Sequence, residues 1–534
     1  MTADGGLRCT VDGIEVALPA DGTTLLDVLR DQLGIHSVKD GCSPQGQCGC
    51  CTVWVDGAPR VSCVTPARRV AGREVTTLDG LPDNVRQLWA DALVSTGGSQ
   101  CGFCTPGIIM RLAAVVSPGE PAPIDQVERG LAAHLCRCTG WQTIVEAAEA
   151  VGAGQLPPSG RDLDAAARRA TLEGQATQRV GPGVALGDGG FADDSAPAGA
   201  LVAVPDAAGG YAIGSDLAEA RRNAGTVQGR RSTVTAAPPL PLPAGSWDLT
   251  LQTSWVEPAY LEPDASWCDP DGDPAAPLGN GGAFGGKVAS PVAGHARELA
   301  DRHGRPVRVL WRREDVVRRG PKRPPVAGGI RVDGTGVLHV GAPPGVDLGR
   351  AIEAVSAVAP GLTVERVELA GPAASPALRA AVWAEAAVLA RCASVLGAAG
   401  PGPHVDVPVA VADPAGGGAR VRLTADGTVD VEVEAGDVLD LTVLRSYCIG
   451  SVHQALGWVT SEGVAVDADG TVLDLTIRSF GVVPARAMPA VRVRALPDDG
   501  PPRRVSDAVF AAAAAAFWLA AGLTPKWPVA GQAT

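Results

Sequence analysis

Ten of the 13 cysteines fall before residue 140 of a 534-residue chain, leaving only Cys268, Cys392 and Cys448 for the remainder. The N-terminus, MTADGGLRCTVDG, has neither the basic segment nor the apolar run that directs secretion, so the chain is expected to be cytoplasmic. A reducing compartment disfavours disulfides, and closely spaced cysteines there point to metal ligation by thiolates. The fold of the N-terminal region must therefore bring these sulfurs together.

The first set is Cys42, Cys48 and Cys51 in GCSPQGQCGCCTV, followed by Cys63. Plant-type ferredoxins hold a [2Fe–2S] cluster with C-x4-C-x2-C and a distant fourth cysteine. Here five residues separate Cys42 from Cys48, an excess that a loop around Gly46 can absorb. Cys50, beside Cys51, stands as an alternative ligand. The flanking pattern agrees with such a loop. LRCTV and IEVAL surround Asp12-Gly13, and TVWVD and RVSCV surround Asp56-Gly57, each the signature of a β-hairpin. Between them TTLLDVLRDQLG sets Leu25, Leu29 and Leu33 on one helical face with Gly34 as a stop. Two hairpins and a crossing helix predict a β-grasp ferredoxin domain over residues 1–80.

The second set is Cys101 and Cys104 in QCGFCTPGIIM, then Cys136 and Cys138 in HLCRCTGWQTI. Both pairs are expected at helix starts, and TPGIIMRLAAVV, PIDQVERGLAAHL and WQTIVEAAEAV read as three helices of a small bundle over residues 81–155. Free N–H groups at helix starts favour a negatively charged cluster. Tetrahedral zinc is the competing reading of each set alone. Taken together, GC…GxCGxCTV, QCGFCTPG and LCRCTGW, spread over about residues 1–152, resemble the iron–sulfur portion of the xanthine oxidase (molybdenum hydroxylase) family.

The resemblance implies two [2Fe–2S] clusters: an outer one on Cys42, Cys48, Cys51 and Cys63, facing the acceptor, and an inner one on Cys101, Cys104, Cys136 and Cys138, next to molybdopterin. It also implies that Gln100 touches the pterin. Residues 156–185 read as a polar linker. In 186–534, GDGGFADD, the run Asn280 to Lys287, RPVRVLWRRED and YCIGSVHQALGWVTSEG resemble pieces of the family's molybdenum-binding subunit, in the same order. They give a shortened α+β molybdopterin-binding-like domain, and Phe284 and Gly285 would lie near the metal. The run Gly281 to Lys287 spells G-x-x-x-x-G-K, but Val288 stands where a phosphate cradle needs Ser or Thr.

Departures from the family pattern bear on function. Roughly 350 residues remain for a domain that is usually much longer, arginine-containing pterin loops are not recognisable, and Pro258 replaces a histidine. The counterpart of the family's catalytic glutamate is Asp507, which serves either as a shorter base or as a cap on the Ala-rich helix that follows. The seven histidines are isolated and no dinucleotide motif follows a strand. The chain is thus expected to be the electron-transfer subunit of a multidomain α+β oxidoreductase acting on a small heterocycle or aldehyde. Its expected partners are a molybdopterin-containing catalytic subunit, a flavin-containing subunit, or both. A self-contained molybdenum hydroxylase and a non-catalytic redox sensor or assembly protein are the alternatives.

The formal charge of −13 argues against nucleic acid and anionic lipid. The basic run Arg305 to Arg323 is interleaved with acids and is expected to be a solvated, partly paired surface. Ala508 to Leu523 is too short to span a bilayer and reads as a buried helix, so no membrane contact is expected.

Overall fold

The computed structural model describes residues 6–155, 160–227, 229, 235–279, 282–288 and 290–529. β1 (Arg8–Val11) pairs antiparallel with β2 (Ile14–Ala17) around Asp12-Gly13, and β3 (Thr52–Val55) with β4 (Ala58–Val61) around Asp56-Gly57. All four turn residues have φ between 49° and 81°, the backbone that lets a two-residue turn follow the twist of its strands. β5 (Glu74–Thr76) joins the hairpins, parallel to β1 and antiparallel to β3, giving the order β2-β1-β5-β3-β4.

The segment between the hairpins begins as α1 (Leu25–Asp27), where Thr24 and Asp27 form a reciprocal capping box. It then widens into a π-helical turn over Val28–Gln32. Leu25 and Leu29 are buried as their spacing predicts, but Leu33 is 37% exposed. The wider turn rotates it off the face that a 3.6-residue period assigns.

Four helices follow: α2 (Asp83–Thr96), α3 (Thr105–Leu112), α4 (Ile124–Leu131) and α5 (Gln142–Ala153). α2 packs on α5, α4 on α3 and α5, and α3 on β3, where the Trp54 indole donates to Met110 O at 2.7 Å. The stretch 156–185, of which 156–159 lie outside the described residues, carries α6 (Leu163–Gly174). Arg169 and Glu173 on α6 are fully buried. Arg169 bonds Glu173 and the carbonyls of Val438 and Arg503 at 2.8–3.0 Å, so polar bonds hold a helix that lacks a strong apolar stripe.

The rest is built on three further sheets. One is ordered Tyr211–Gly214, Leu201–Pro205, Val307–Leu310, Ala265–Cys268. A five-stranded one is ordered Leu362–Glu368, Gly336–Ala342, Val326–Ile330, Leu249–Thr253, Lys526–Trp527. The last runs Val409–Ala412, Gly418–Leu423, Val429–Glu434, Val491–Ala495. Helix Ser506–Ala520 packs against helices Trp383–Ala399 and Leu441–Thr460 and against the last sheet. Its alanines are buried and let these layers approach closely. Among the described residues no helix is long and apolar enough to cross a membrane. The architecture is mixed α/β and multidomain.

The run Arg305 to Arg323 departs from its expected solvation. Arg312, Arg313, Lys322 and Arg323 are buried. Arg313 donates to Gly41 O at 2.6 Å and Leu261 O at 2.7 Å, Lys322 pairs with Glu257, and Arg323 with Glu385. Arg312 pairs with Asp315 inside the run, but the other three are met by partners distant in sequence, so local charge density misreads their exposure. The same region fixes the N-terminal sheet. Arg308 binds Asp31 and Asp193, Arg30 binds Asp193 and Asp194, and Lys39 is paired with Asp194.

Candidate metal centres

The loop from Cys42 to Cys51 leaves the turn after the π-helical segment and runs into β3. Ser43 and Gly46 have φ of 41° and 68°, and the residue in excess of the ferredoxin spacing is taken up there. Gly41 is tightly packed: a Cβ would lie 3.1 Å from the sulfurs of both Cys48 and Cys50, which would have to give way. Cys42 bonds Cys48 and Cys63, and Cys63 bonds Cys51, so four buried sulfurs form one contiguous set. The backbone N–H groups of Gln45 and Gln47 point at the Cys42 sulfur, at 3.2 and 3.5 Å. Hydrogen bonds from Cys48 and Cys63 hold the Cys42 thiol well below its usual range. Cys50 touches Cys48 from outside this set.

In the second set the sulfurs of Cys101 and Cys138 are 3.6 Å apart. Two thiolates on one tetrahedral metal, with bonds of about 2.3 Å, are about 3.7 Å apart. Cys104, the N-cap of α3, bonds Cys136, whose sulfur also lies 3.2 Å from Thr139 Oγ1. The Cys104 bond, opposed by burial, brings the Cys136 thiol down to about 6. Cys136 and Cys138 sit in the loop before α5 rather than at its start, because the backbone turns at Gly140 and Trp141 first. No trio of His, Cys, Asp or Glu among the described residues converges on a single ion. The donor chemistry fits [2Fe–2S] clusters, which take four thiolates spread over two irons.

The two sets abut. A Cβ on Gly107 of α3 would collide with Gly49 O, and Leu135 N donates to Cys48 O at 3.0 Å, one residue before Cys136. The backbones of the two sets are thus one hydrogen bond apart.

Beside the second set lies a chamber of buried charge. The Arg379 guanidinium stacks 4.1 Å from the Phe284 ring centroid, donates to Ser451 Oγ at 2.7 Å and faces Asp507 at 3.7 Å. Burial lowers Arg379 to about 10 despite Asp507. Arg323 covers Trp458 at 4.2 Å, and Arg137 binds Glu462 through two bonds of 2.5 and 2.8 Å. The backbone here is strained, with φ of 43° at Phe284, 44° at Arg379, 58° at Ala380 and 76° at Val382. Gly285 packs so closely on Ala377 O that no Cβ fits. Asn280 and Gly281, which open the Gly-rich run, lie outside the described residues.

These side chains leave a cavity of about 20 Å³ lined by Phe284, Arg323, Arg379, Glu257, Pro258 and Trp458. A second, of about 10 Å³, lies between Gln100, Cys138, Gln178 and Tyr447. Sites for small molecules of cofactor size have about 300 Å³ or more. Neither of these two cavities, as the described residues line them, has room for molybdopterin. Gln100 donates to Cys138 O at 3.1 Å and Ser446 Oγ at 2.8 Å, and its carbonyl oxygen is buried without a partner. Asp507 is not a cap. It lies inside the first helical turn, bonded to Gln175 and paired with Arg379 and Arg504, while Glu173 caps the helix by accepting from Val505 N and Ser506 N.

Sequence reasoning missed Arg379 and Glu173, neither of which belongs to a motif, and gave no role to Tyr447, which opens YCIGSVHQALGWVTSEG. Arg137 was missed too, although its position inside Cys-Arg-Cys, between two buried sulfurs, could have marked it as a buried cation in need of an acid.

Fold and sulfur geometry define a two-centre iron–sulfur protein. Residues 77–149 match the [2Fe-2S] binding domain family. Over 147 residues the chain is 45% identical to the xanthine dehydrogenase iron-sulfur-binding subunit of Escherichia coli O157:H7, covering 26% of this chain and 89% of that one. It is 43% identical over 157 residues to the aldehyde oxidoreductase of Megalodesulfovibrio gigas, covering 28% of this chain but only 17% of that protein. The chain belongs to the xanthine oxidase (molybdenum hydroxylase) family. The structure of the aldehyde oxidoreductase from Desulfovibrio gigas superimposes with a TM-score of 0.70 over 98% of both chains at 16% identity, a likeness of fold.

Proposed function

We propose that this chain is the electron-transfer component of a molybdenum hydroxylase. It carries single electrons between a molybdopterin site on a partner chain and an external acceptor, during oxidation or hydroxylation of a small heterocycle or aldehyde. The observation that carries the reading is the contrast between two contiguous cysteine sets and an adjoining chamber reduced to about 20 Å³. On this reading 1–80 is a β-grasp ferredoxin domain, 81–155 a helical cluster-binding domain and 186–534 a shortened molybdopterin-binding-like scaffold for the catalytic subunit. A flavin-containing subunit is the further partner.

Bound clusters supply one-electron redox chemistry. The protein's part is to hold them dry and close: Cys42, Cys48, Cys51 and Cys63 hold the outer cluster, and Cys101, Cys104, Cys136 and Cys138 the inner one. Backbone N–H groups on the Cys42 sulfur stabilise the anionic state. The Leu135 N–H to Cys48 O bond shortens the through-bond route between them.

The test is elemental analysis of anaerobically purified protein with EPR after reduction. About four irons, two distinct [2Fe–2S] signals and no molybdenum are expected; zinc in place of iron would refute the reading. The likeness of fold along the whole of an aldehyde oxidoreductase favours a second reading, a self-contained hydroxylase. There molybdenum co-purifies, and Asp507→Ala abolishes turnover while cluster reduction is unchanged.

A further inference from the structure

Val64 follows Cys63 directly and is 52% exposed, whereas Cys63 is buried. An apolar tip thus projects into solvent one residue from a sulfur of the outer set. Its surroundings are basic. Residues 58–73 include Arg60, Arg68, Arg69 and Arg73 and no acid, in a chain of formal charge −13.

Arg73 is neutralised by Asp56. The other three are not: Arg60 reaches only Pro59 O at 2.9 Å, Arg68 only the backbone carbonyl of Asp21 at 3.4 Å, and no acid lies against Arg69 among the described residues. The Asp21 carboxylate is itself taken up by Thr23, with Arg222 nearby. On the other side of Val64, Gly46 approaches its methyl groups, and the neighbouring Gln47 accepts from Arg478 N at 2.9 Å, so exposed Arg478 extends the basic rim.

We infer that Val64 and its rim of Arg60, Arg68, Arg69 and Arg478 form the docking surface for an acidic electron-transfer protein. The inference rests on the two-cluster reading above and adds the face, the charge and the class of acceptor. Unpaired cations around a small apolar centre steer an acidic partner and then exclude water where the cluster comes nearest the surface. One electron leaves the reduced outer cluster, whose ferrous iron becomes ferric, and one acceptor centre is reduced. No atom or proton is exchanged.

The test uses the full cluster-loaded chain with two haem proteins of opposite charge, acidic cytochrome b5 and basic cytochrome c. With all partners oxidised, so that no electron moves, thermophoresis should show binding of cytochrome b5 that weakens as salt rises and no comparable binding of cytochrome c. After dithionite reduction, stopped-flow mixing should show cytochrome b5 oxidising the clusters faster, again with a steep salt dependence. Arg68→Glu with Arg69→Glu should weaken cytochrome b5 binding by about tenfold or more at low salt, leaving iron content and EPR signals unchanged. Val64→Ser should slow transfer with a smaller effect on salt dependence.

Equal treatment of the two cytochromes, or indifference to the double reversal with both EPR signals intact, would overturn the docking surface while leaving the two-cluster reading standing. Missing iron or EPR signals in the parent chain would instead refute that reading. Binding to phosphatidylglycerol vesicles without binding to cytochrome b5 would assign the patch to a membrane surface and likewise overturn the proposal.

Discussion

The N-terminal cluster region and the chamber behind it both bury polar groups, but they assemble them differently. In the first, all four sulfurs of each set come from within about 40 residues of chain, on loops fixed by Gly41, Gly46 and Gly102. In the second, each charge is met from far away: Arg137 by Glu462, Arg323 by Glu385, Lys322 by Glu257. Local sets survive changes elsewhere in the chain. The distributed chamber is filled by ion pairs and aromatic stacking between segments far apart in sequence.

Removing a ligand should separate the two regions most sharply. Cys101→Ser should lower iron from about four to about two per chain and erase one EPR signal, and Cys42→Ser should erase the other. If either variant kept both signals, the ligand sets would not be the two described.

The next largest effect belongs to the chamber. Glu385→Gln leaves Arg323 buried with half its partner and should cost about 3–5 kcal/mol. Urea unfolding followed by tryptophan fluorescence reads this, since Arg323 lies over Trp458. Iron content should not change. Loss of iron together with stability would mean that the two regions fold as one unit.

What was legible divides along the same line. The hairpins at Asp12-Gly13 and Asp56-Gly57, the two cysteine sets and the Ala-rich buried helix depend on neighbours in sequence, and all were readable. The burial of Lys322 and Arg323 was not, because a basic run looks the same whether its acids are in solvent or across a core. Nor was Asp507 as an ion-pair member, since Glu173 on a supposed linker does the capping. Leu33 was misjudged because nothing in TTLLDVLRDQLG announces a π-helical turn.

Acidification offers a milder probe of the second region. His453 is fully buried, its Nε2 lies 2.9 Å from Val483 O, and burial, with Arg137 nearby, lowers it to about 4. A lowered histidine is protonated first in the unfolded chain. Its contribution is therefore intact above about 6.5 and falls away towards pH 4, by about 3 kcal/mol in all. His453→Gln should flatten that part of the stability profile measured by urea midpoints between pH 4 and 7. An unchanged slope would show that other groups carry the acid sensitivity.

The smallest expected effect concerns Cys50, the thiol that sequence spacing left as an alternative ligand. Cys42, Cys48, Cys51 and Cys63 already form a contiguous set, and Cys50 meets it only at Cys48, with its sulfur 3.9 Å from Cys48 O. Its backbone is also pressed against α3, where a Cβ on Gly107 would lie 2.9 Å from Cys50 Cα. Alanine in its place removes one buried sulfur and should cost about 1 kcal/mol, with iron content and both EPR signals kept. Loss of the outer signal in Cys50→Ala, together with its survival in Cys51→Ala, would exchange the two residues. The outer set would then be drawn from the side that faces the inner one.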